Sequence, residues 1–218
     1  MKQASSLAVL SALLCFGCAA APEAGRTATT ARSVEPAALL PPSAFPYDFQ
    51  WRQRVTARWP TGEHSFDAVL QRSAGDLLLV GLSPLGLPGF VLRLRPTGAI
   101  EVENRSGRDL PFEPRYVLAD VERVFFPWLG DAPQAGGERV AQRGDSRIVE
   151  RYEHGQLMAR RFERQTRQGL ERVDIAYEGT SVGADAPRRA VLENALLGYT
   201  LTIETLEQTR LAPPSTQP

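Results

Sequence analysis

Residues 76–95, DLLLVGLSPLGLPGFVLRLR, leave this chain few folds to choose from. The first arm, 77–82, is apolar at every position except Gly81, which predicts a strand covered on both faces. The second arm alternates. Phe90, Leu92 and Leu94 fall on one face, with Val91, Arg93 and Arg95 on the other, the period of a half-buried antiparallel strand. Between the arms, Pro84 and Pro88 lack amide donors and Gly86 tolerates positive φ, so the chain must turn there, with Leu85 and Leu87 near the tip. Leucines at such a tip either fold back onto a core or stay exposed to meet an apolar partner.

The same antiparallel grammar runs through most of the chain. Trp51, Gln53, Val55, Ala57 and Trp59 alternate with Arg52, Arg54, Thr56 and Arg58, up to a stop at Pro60. A second strand over 65–72 carries Phe66, Ala68 and Leu70 on one face, and Ser73, Ala74 and Gly75 turn it into the leucine arm. Ile100 and Val102 extend the meander. The period then changes: Val117, Val121, Val124 and Trp128 recur at helical spacing, beside Leu118 and Phe125, which predicts one amphipathic helix over 115–128 whose final turn Pro127 disturbs, leaving Trp128 at or beyond its end. A linker is expected over 129–145, and strands return at 148–153, 157–164, 171–177, 191–194 and 199–206. About nine strands and one helix give a mainly β protein, a strongly bent antiparallel sheet or incomplete barrel covered by the amphipathic helix.

The N-terminal region reads differently. Lys2 and the apolar run 7–14 have the form of a targeting segment, too short to span a bilayer as a helix. Its end, Leu14-Cys15-Phe16-Gly17-Cys18-Ala19, resembles the lipobox of bacterial lipoproteins, which implies cleavage after Gly17 and lipidation of Cys18. By the sorting rules of such lipoproteins, Ala19 in place of Asp implies delivery to the periplasmic face of the outer membrane. The expected organisation is a signal peptide over 1–18, a disordered Ala/Pro/Thr-rich tether over 19–46, one domain over 47–211 and a disordered tail over 212–218. A flexible tether of that length reaches roughly 28 Å.

Several function classes lack their chemistry. The 25 Lys and Arg residues balance 25 Asp and Glu, so no basic footprint for nucleic acid exists. Lys2 is the one lysine, and it lies in the targeting segment. His64 and His154 have no companion at ligand spacing, so no metal is expected. No nucleophile elbow, phosphate loop or dinucleotide fingerprint occurs, and the carboxylates Asp120 and Glu122 point to different helix faces. The reading is therefore non-enzymatic, without a cofactor. Trp51, Trp59 and Trp128 sit at periodic positions that suit core packing.

The leucine hairpin, followed by an amphipathic helix running into Phe126-Pro127-Trp128-Leu129-Gly130-Asp131, resembles LolB, the outer-membrane lipoprotein receptor, and its soluble periplasmic partner LolA. Pro84-Leu85-Gly86, residues 90–94, Tyr116-Val117-Leu118-Ala119-Asp120 and Leu197-Gly198-Tyr199-Thr200-Leu201 also resemble a family of uncharacterised small outer-membrane lipoproteins encoded beside aryl-polyene or fatty-acyl biosynthesis genes. The likeness covers residues 50–207. It implies a half-barrel lined by apolar side chains, with acyl chains held between sheet and helix. Candidate lining residues are Leu79, Phe90, Leu92, Leu94, Val117, Val121, Phe125 and Trp128. Leu85 matches the LolB leucine that helps pass lipoprotein into the membrane, with Leu87 beside it as a second contact. Two departures stand out: prolines interrupt the segment before Gln50, where an N-terminal helix belongs, and only one lid helix is evident.

The expected function is a lipid-anchored outer-membrane lipoprotein that shelters acyl chains or lipoproteins and assists their transfer to that membrane, with a LolA-like periplasmic carrier as a possible partner. Moving a palmitate-length chain into water costs on the order of 13 kcal/mol at ~0.8 kcal/mol per methylene, which is why a shelter is needed. The alternative is a structural or assembly lipoprotein whose half-barrel is filled by its own side chains.

Overall fold

The computed structural model describes residues 38–107, 109–110, 112–130, 136–179 and 186–212. Its strands are β1 (Phe49–Trp59), β2 (Gly62–Ser73), β3 (Asp76–Leu82), β4 (Pro88–Leu94), β5 (Ile100–Asn104), β6 (Gly137–Arg143), β7 (Ser146–Glu153), β8 (Gln156–Thr166), β9 (Gly169–Glu178), β10 (Arg189–Asn194) and β11 (Tyr199–Arg210). One helix, α1 (Pro114–Phe125), stands between β5 and β6. All eleven strands form one antiparallel sheet in the order β5-β4-β3-β2-β1-β11-β10-β9-β8-β7-β6. Two meanders therefore meet at the β1–β11 seam, where Val55 pairs with Ile203. The sheet does not close, because β5 and β6 lie at opposite ends of it.

The contacts of α1 show how strongly the sheet bends. A helix of 12 residues is about 18 Å long. On one side it packs on β4 and β5. On the other, its Arg123 and Val124 are bonded by side chains of β8 and β9. In a flat sheet those strands would lie on the order of 30 Å apart at ~4.8 Å per strand, so the sheet must curl around the helix.

Cross-strand rows line the concave face. Leu92, Leu79, Leu70 and Trp51 are in register across β4, β3, β2 and β1, and all are buried. This row forms one core together with Phe49, Leu77, Leu94, Leu118, Val121 and Phe126. A second core under β7–β11 gathers Val124, Ile148, Phe162, Val173, Ile175 and Leu192. α1 contributes to both. Phe125 and Trp128 pack against each.

Four local features differ from the sequence expectation. The helix ends at Phe125, because Pro127 follows and Phe126 is already extended, which leaves Trp128 outside it as Pro127 implies. The expected linker contains β6, an edge strand whose single neighbour is β7. On β3 the leucine arm buries Leu77 and Leu79 fully and leaves Leu78 half-buried, so its second face is only partly covered. Finally, residues 38–46 of the expected tether are packed. Phe45 is 3% exposed, Leu39, Leu40 and Ala44 lie against the first core, and Pro42–Ala44 forms a 3₁₀ turn. Arg72 clips this segment down, donating to the Pro42 carbonyl at 3.1 Å and pairing with Asp48 at 2.6 Å. The large apolar residues of 19–46 concentrate at its end, where their burial offsets the cost of ordering.

Candidate functional site

α1 ends in the concavity, where its last carbonyls have no intrahelical donors. The sheet and Trp128, just past the helix, supply them. Arg160 on β8 donates through Nη1 to the carbonyls of Arg123 (2.6 Å) and Val124 (3.2 Å), and Tyr177 Oη donates to Val124 at 2.9 Å. Trp128 Nε1 donates to the Glu122 carbonyl at 2.9 Å. Arg160 is held in turn by Glu150 at 2.7 Å, and the other oxygen of Glu150 accepts from Tyr152 Oη at 2.5 Å. Burial raises the Tyr177 hydroxyl to about 12, so it remains a donor at any physiological pH.

A second buried network lies on the inward face of α1. Arg123 bonds Asp120 (3.1 Å) and Glu171 (2.8 Å), and Glu171 bonds Arg164 (2.6 Å). Tyr199 Oη closes it on Asp120 at 2.5 Å. Two guanidinium groups alternate with two carboxyls, so each buried charge has a partner, the condition under which such groups can be desolvated. Burial pushes the Asp120 carboxyl up, against Arg123 and Tyr199. Burial pulls the Arg123 guanidinium down, but Asp120 and Glu171 outweigh it.

Glu122 is different. It is 2% exposed, its Oε2 accepts the Leu40 amide at 3.0 Å, and its Oε1 has no hydrogen-bond partner among the described residues. Burial raises this carboxyl to about 8, so it is mostly protonated at neutral pH. Beside it lies a cavity of about 240 Å³ between α1, the β6–β7 turn and the segment around Leu40. Trp128 and Phe162 wall it, and Arg123, Arg164 and Glu171 form its polar side. Arg143 stands over the Trp128 ring at 5.9 Å.

The anticipated site residues are distributed as follows. Leu85 and Leu87 are 86% and 62% exposed at the β3–β4 tip. That tip is built rather than loose: Gly86 N donates to Ser83 O at 2.8 Å, and Ser83 N to Leu87 O at 2.8 Å. Leu79, Leu92, Leu94 and Val121 are buried together in the first core, with Phe90, Val117, Phe125 and Trp128 half-buried against it. Of these eight, only Trp128 lines the cavity. Cys18 lies outside the described residues. Among the described residues, no cluster of His, Cys, Asp and Glu is placed to hold a metal.

Sequence reasoning missed the buried ion networks. Their signal was period two: Arg160 and Arg164 flank Phe162 on the inward face of β8, and Glu150 lies between Ile148 and Tyr152 on that of β7. Charges in phase with buried apolar residues mark partners inside the fold.

A protein-family profile matches residues 50–207, most of the chain. The chain belongs to DUF3261, a family of unknown function. No curated protein matches this DUF3261 chain. Among solved structures, a LolA superfamily protein from Nitrosomonas europaea is 13% identical, with a TM-score of 0.48, covering 77% of this chain and 88% of that one. A candidate outer membrane lipoprotein-sorting protein domain from Vibrio parahaemolyticus is 9% identical, with a TM-score of 0.43, covering 79% and 87%. A DUF1329 family protein from Desulfovibrio piger is 10% identical, with a TM-score of 0.29, covering 78% and 87%.

Proposed function

We propose that this DUF3261 chain is a non-enzymatic envelope lipoprotein, anchored through Cys18 to the periplasmic face of the outer membrane, that receives acyl chains or lipoproteins and assists their transfer into that membrane. The observation that carries the reading is Leu85, 86% exposed beside the exposed Leu87 at the tip of a hairpin whose strands bury or half-bury their own large apolar residues. Hydrogen bonds across the turn hold that leucine out in water. An exposed leucine on a rigid tip suits contact with an apolar surface, and the tether would keep the domain within reach of one. Acyl cargo would enter the half-barrel by displacing the packed segment around Phe45 or by lifting α1. With no nucleotide-binding motif in the sequence, transfer would follow an affinity gradient toward the membrane.

The test is Leu85→Glu in the full chain carrying Cys18→Ala. The melting temperature should hardly change, while association with phospholipid vesicles should weaken. Unchanged vesicle association would sink the membrane-contact role.

A second reading has its own observation. The concave face under β1–β4 is filled by Phe45, Phe49, Trp51 and the leucine row, which favours a self-filled scaffold that binds partners at its rim. A fluorescent apolar probe distinguishes the two. Saturable binding displaced by fatty acid supports the carrier, and absence of binding supports the scaffold.

A further inference from the structure

We propose that the cavity beside α1 is a binding site for a compact amphipathic carboxylate, with the anion on Arg143 at the mouth and the hydrocarbon part between Trp128, Phe162 and Leu40. This site lies at the β6–β9 end of the half-barrel, away from the leucine row of β2–β4, and does not depend on the membrane role of Leu85.

Size sets the ligand class. About 240 Å³ holds roughly eight water-sized groups at ~30 Å³ each, below the usual ~300–1,000 Å³ of drug-sized pockets. A six-carbon chain fits within that space. The walls are apolar where Leu40, Ala119, Trp128 and Phe162 face the space, so a hydrocarbon is favoured there over water.

Charge sets the head group. The carboxyl of Glu171 is already shared by Arg123 and Arg164, and Asp145 leans toward Arg164 at 3.7 Å. Among the described residues, no carboxylate lies within ion-pair distance of Arg143. It is exposed at the end of β6 and stands over the Trp128 face, and of the arginines lining the cavity it is the one without a counter-ion among the described residues. Stacking on the indole pre-orients it, and a planar guanidinium matches a carboxylate. Glu122, which lines the same cavity, has a buried carboxyl oxygen with no partner among the described residues. With its carboxyl raised to about 8 by burial, Glu122 does not repel an incoming anion at neutral pH.

The test is titration calorimetry on the full chain with hexanoate, hexanol and hexadecanoate, with Trp128 fluorescence as a second readout. Hexanoate should bind saturably at one site. Hexanol should bind about tenfold more weakly, the ~1.4 kcal/mol expected for losing one anion contact. Arg143→Gln, a change on the surface, should weaken hexanoate by roughly the same factor and leave hexanol unchanged. Ala119→Leu should fill the cavity and abolish both. No saturable hexanoate binding, or an Arg143→Gln protein that binds it unchanged, overturns the proposal. If hexadecanoate binds tighter than hexanoate and both Arg143→Gln and Ala119→Leu leave it intact, the ligand sits along the leucine row of the half-barrel; that overturns this site while supporting the carrier reading. Should Ala119→Leu fail to fold, the Arg143→Gln comparison still decides.

Discussion

Arg160 Nη1 lies 2.6 Å from the carbonyl oxygen of Arg123, so a sheet side chain caps the last turn of the helix that covers the sheet. The cap joins the helix C-terminus, where partial negative charge collects, to a guanidinium that Glu150 holds in place. Replacing Arg160 by Leu would leave the Glu150 carboxyl buried without its cation. That single change should cost about 3–5 kcal/mol, whereas the double change Arg160→Leu with Glu150→Leu should recover much of the loss. Chemical denaturation of the two variants and the wild type checks this. Equal loss in single and double variants would mean that the helix cap, rather than the stranded charge, dominates.

Glu122 gives a pH dependence of definite sign. Its carboxyl is raised from an ordinary 4.5 to about 8, with burial as the main cause and the Leu40 amide, Arg123 and Arg115 pulling the other way. Between those two values the folded chain keeps a proton that the unfolded chain has lost, so this group's stabilising contribution is complete at low pH. It should fall by about 1.4 kcal/mol per pH unit within that window and level off above about 8. Glu122→Gln should remove the slope. The measurement is the difference in unfolding free energy between wild type and Glu122→Gln from pH 5 to 8.5, which cancels the other titrating groups.

Gly81 pairs with Phe90 across β3 and β4, and the Phe90 ring lies over it. A Cβ built at Gly81 would come within 2.1 Å of the ring. Phe90 is itself wedged between Phe66 (5.8 Å) and Phe112 (5.2 Å). Gly81→Ala should therefore cost about 1–3 kcal/mol through overpacking, and Phe90→Leu in the same chain should relieve part of it. Thermal melting of the single and double variants measures the coupling; additive effects would show that the ring moves aside freely.

Much of the architecture was legible, because alternation on a strand depends on neighbours in sequence. The first meander, the amphipathic helix and the turn around Leu85 follow from period and from Pro and Gly placement, while the exposure of Leu85 at that turn was left open by the sequence. Less legible were features fixed by partners far along the chain. β6 is a polar edge strand whose residues show little alternation, and it exists because β7 pairs with it. Leu39, Leu40 and Phe45 read as part of a proline-interrupted tether until Arg72 and the first core hold them. The cavity depends on the meeting of α1, the β6–β7 turn and the segment around Leu40, and no local pattern records that meeting.

The seam at the centre of the sheet has a kinetic consequence. Arg52 on β1 bonds Glu207 on β11 across 155 residues of chain, and neither meander covers its inner edge until that pairing forms. Closing so long a loop is entropically expensive and late in its reward, which makes this seam the costliest pairing of the sheet to form. During synthesis β1 must wait, with one side unpaired, for the last strand to arrive. A chain built this way stays an unfinished, pairing-competent sheet until β11 docks, and in that interval a chaperone has an open strand edge to hold.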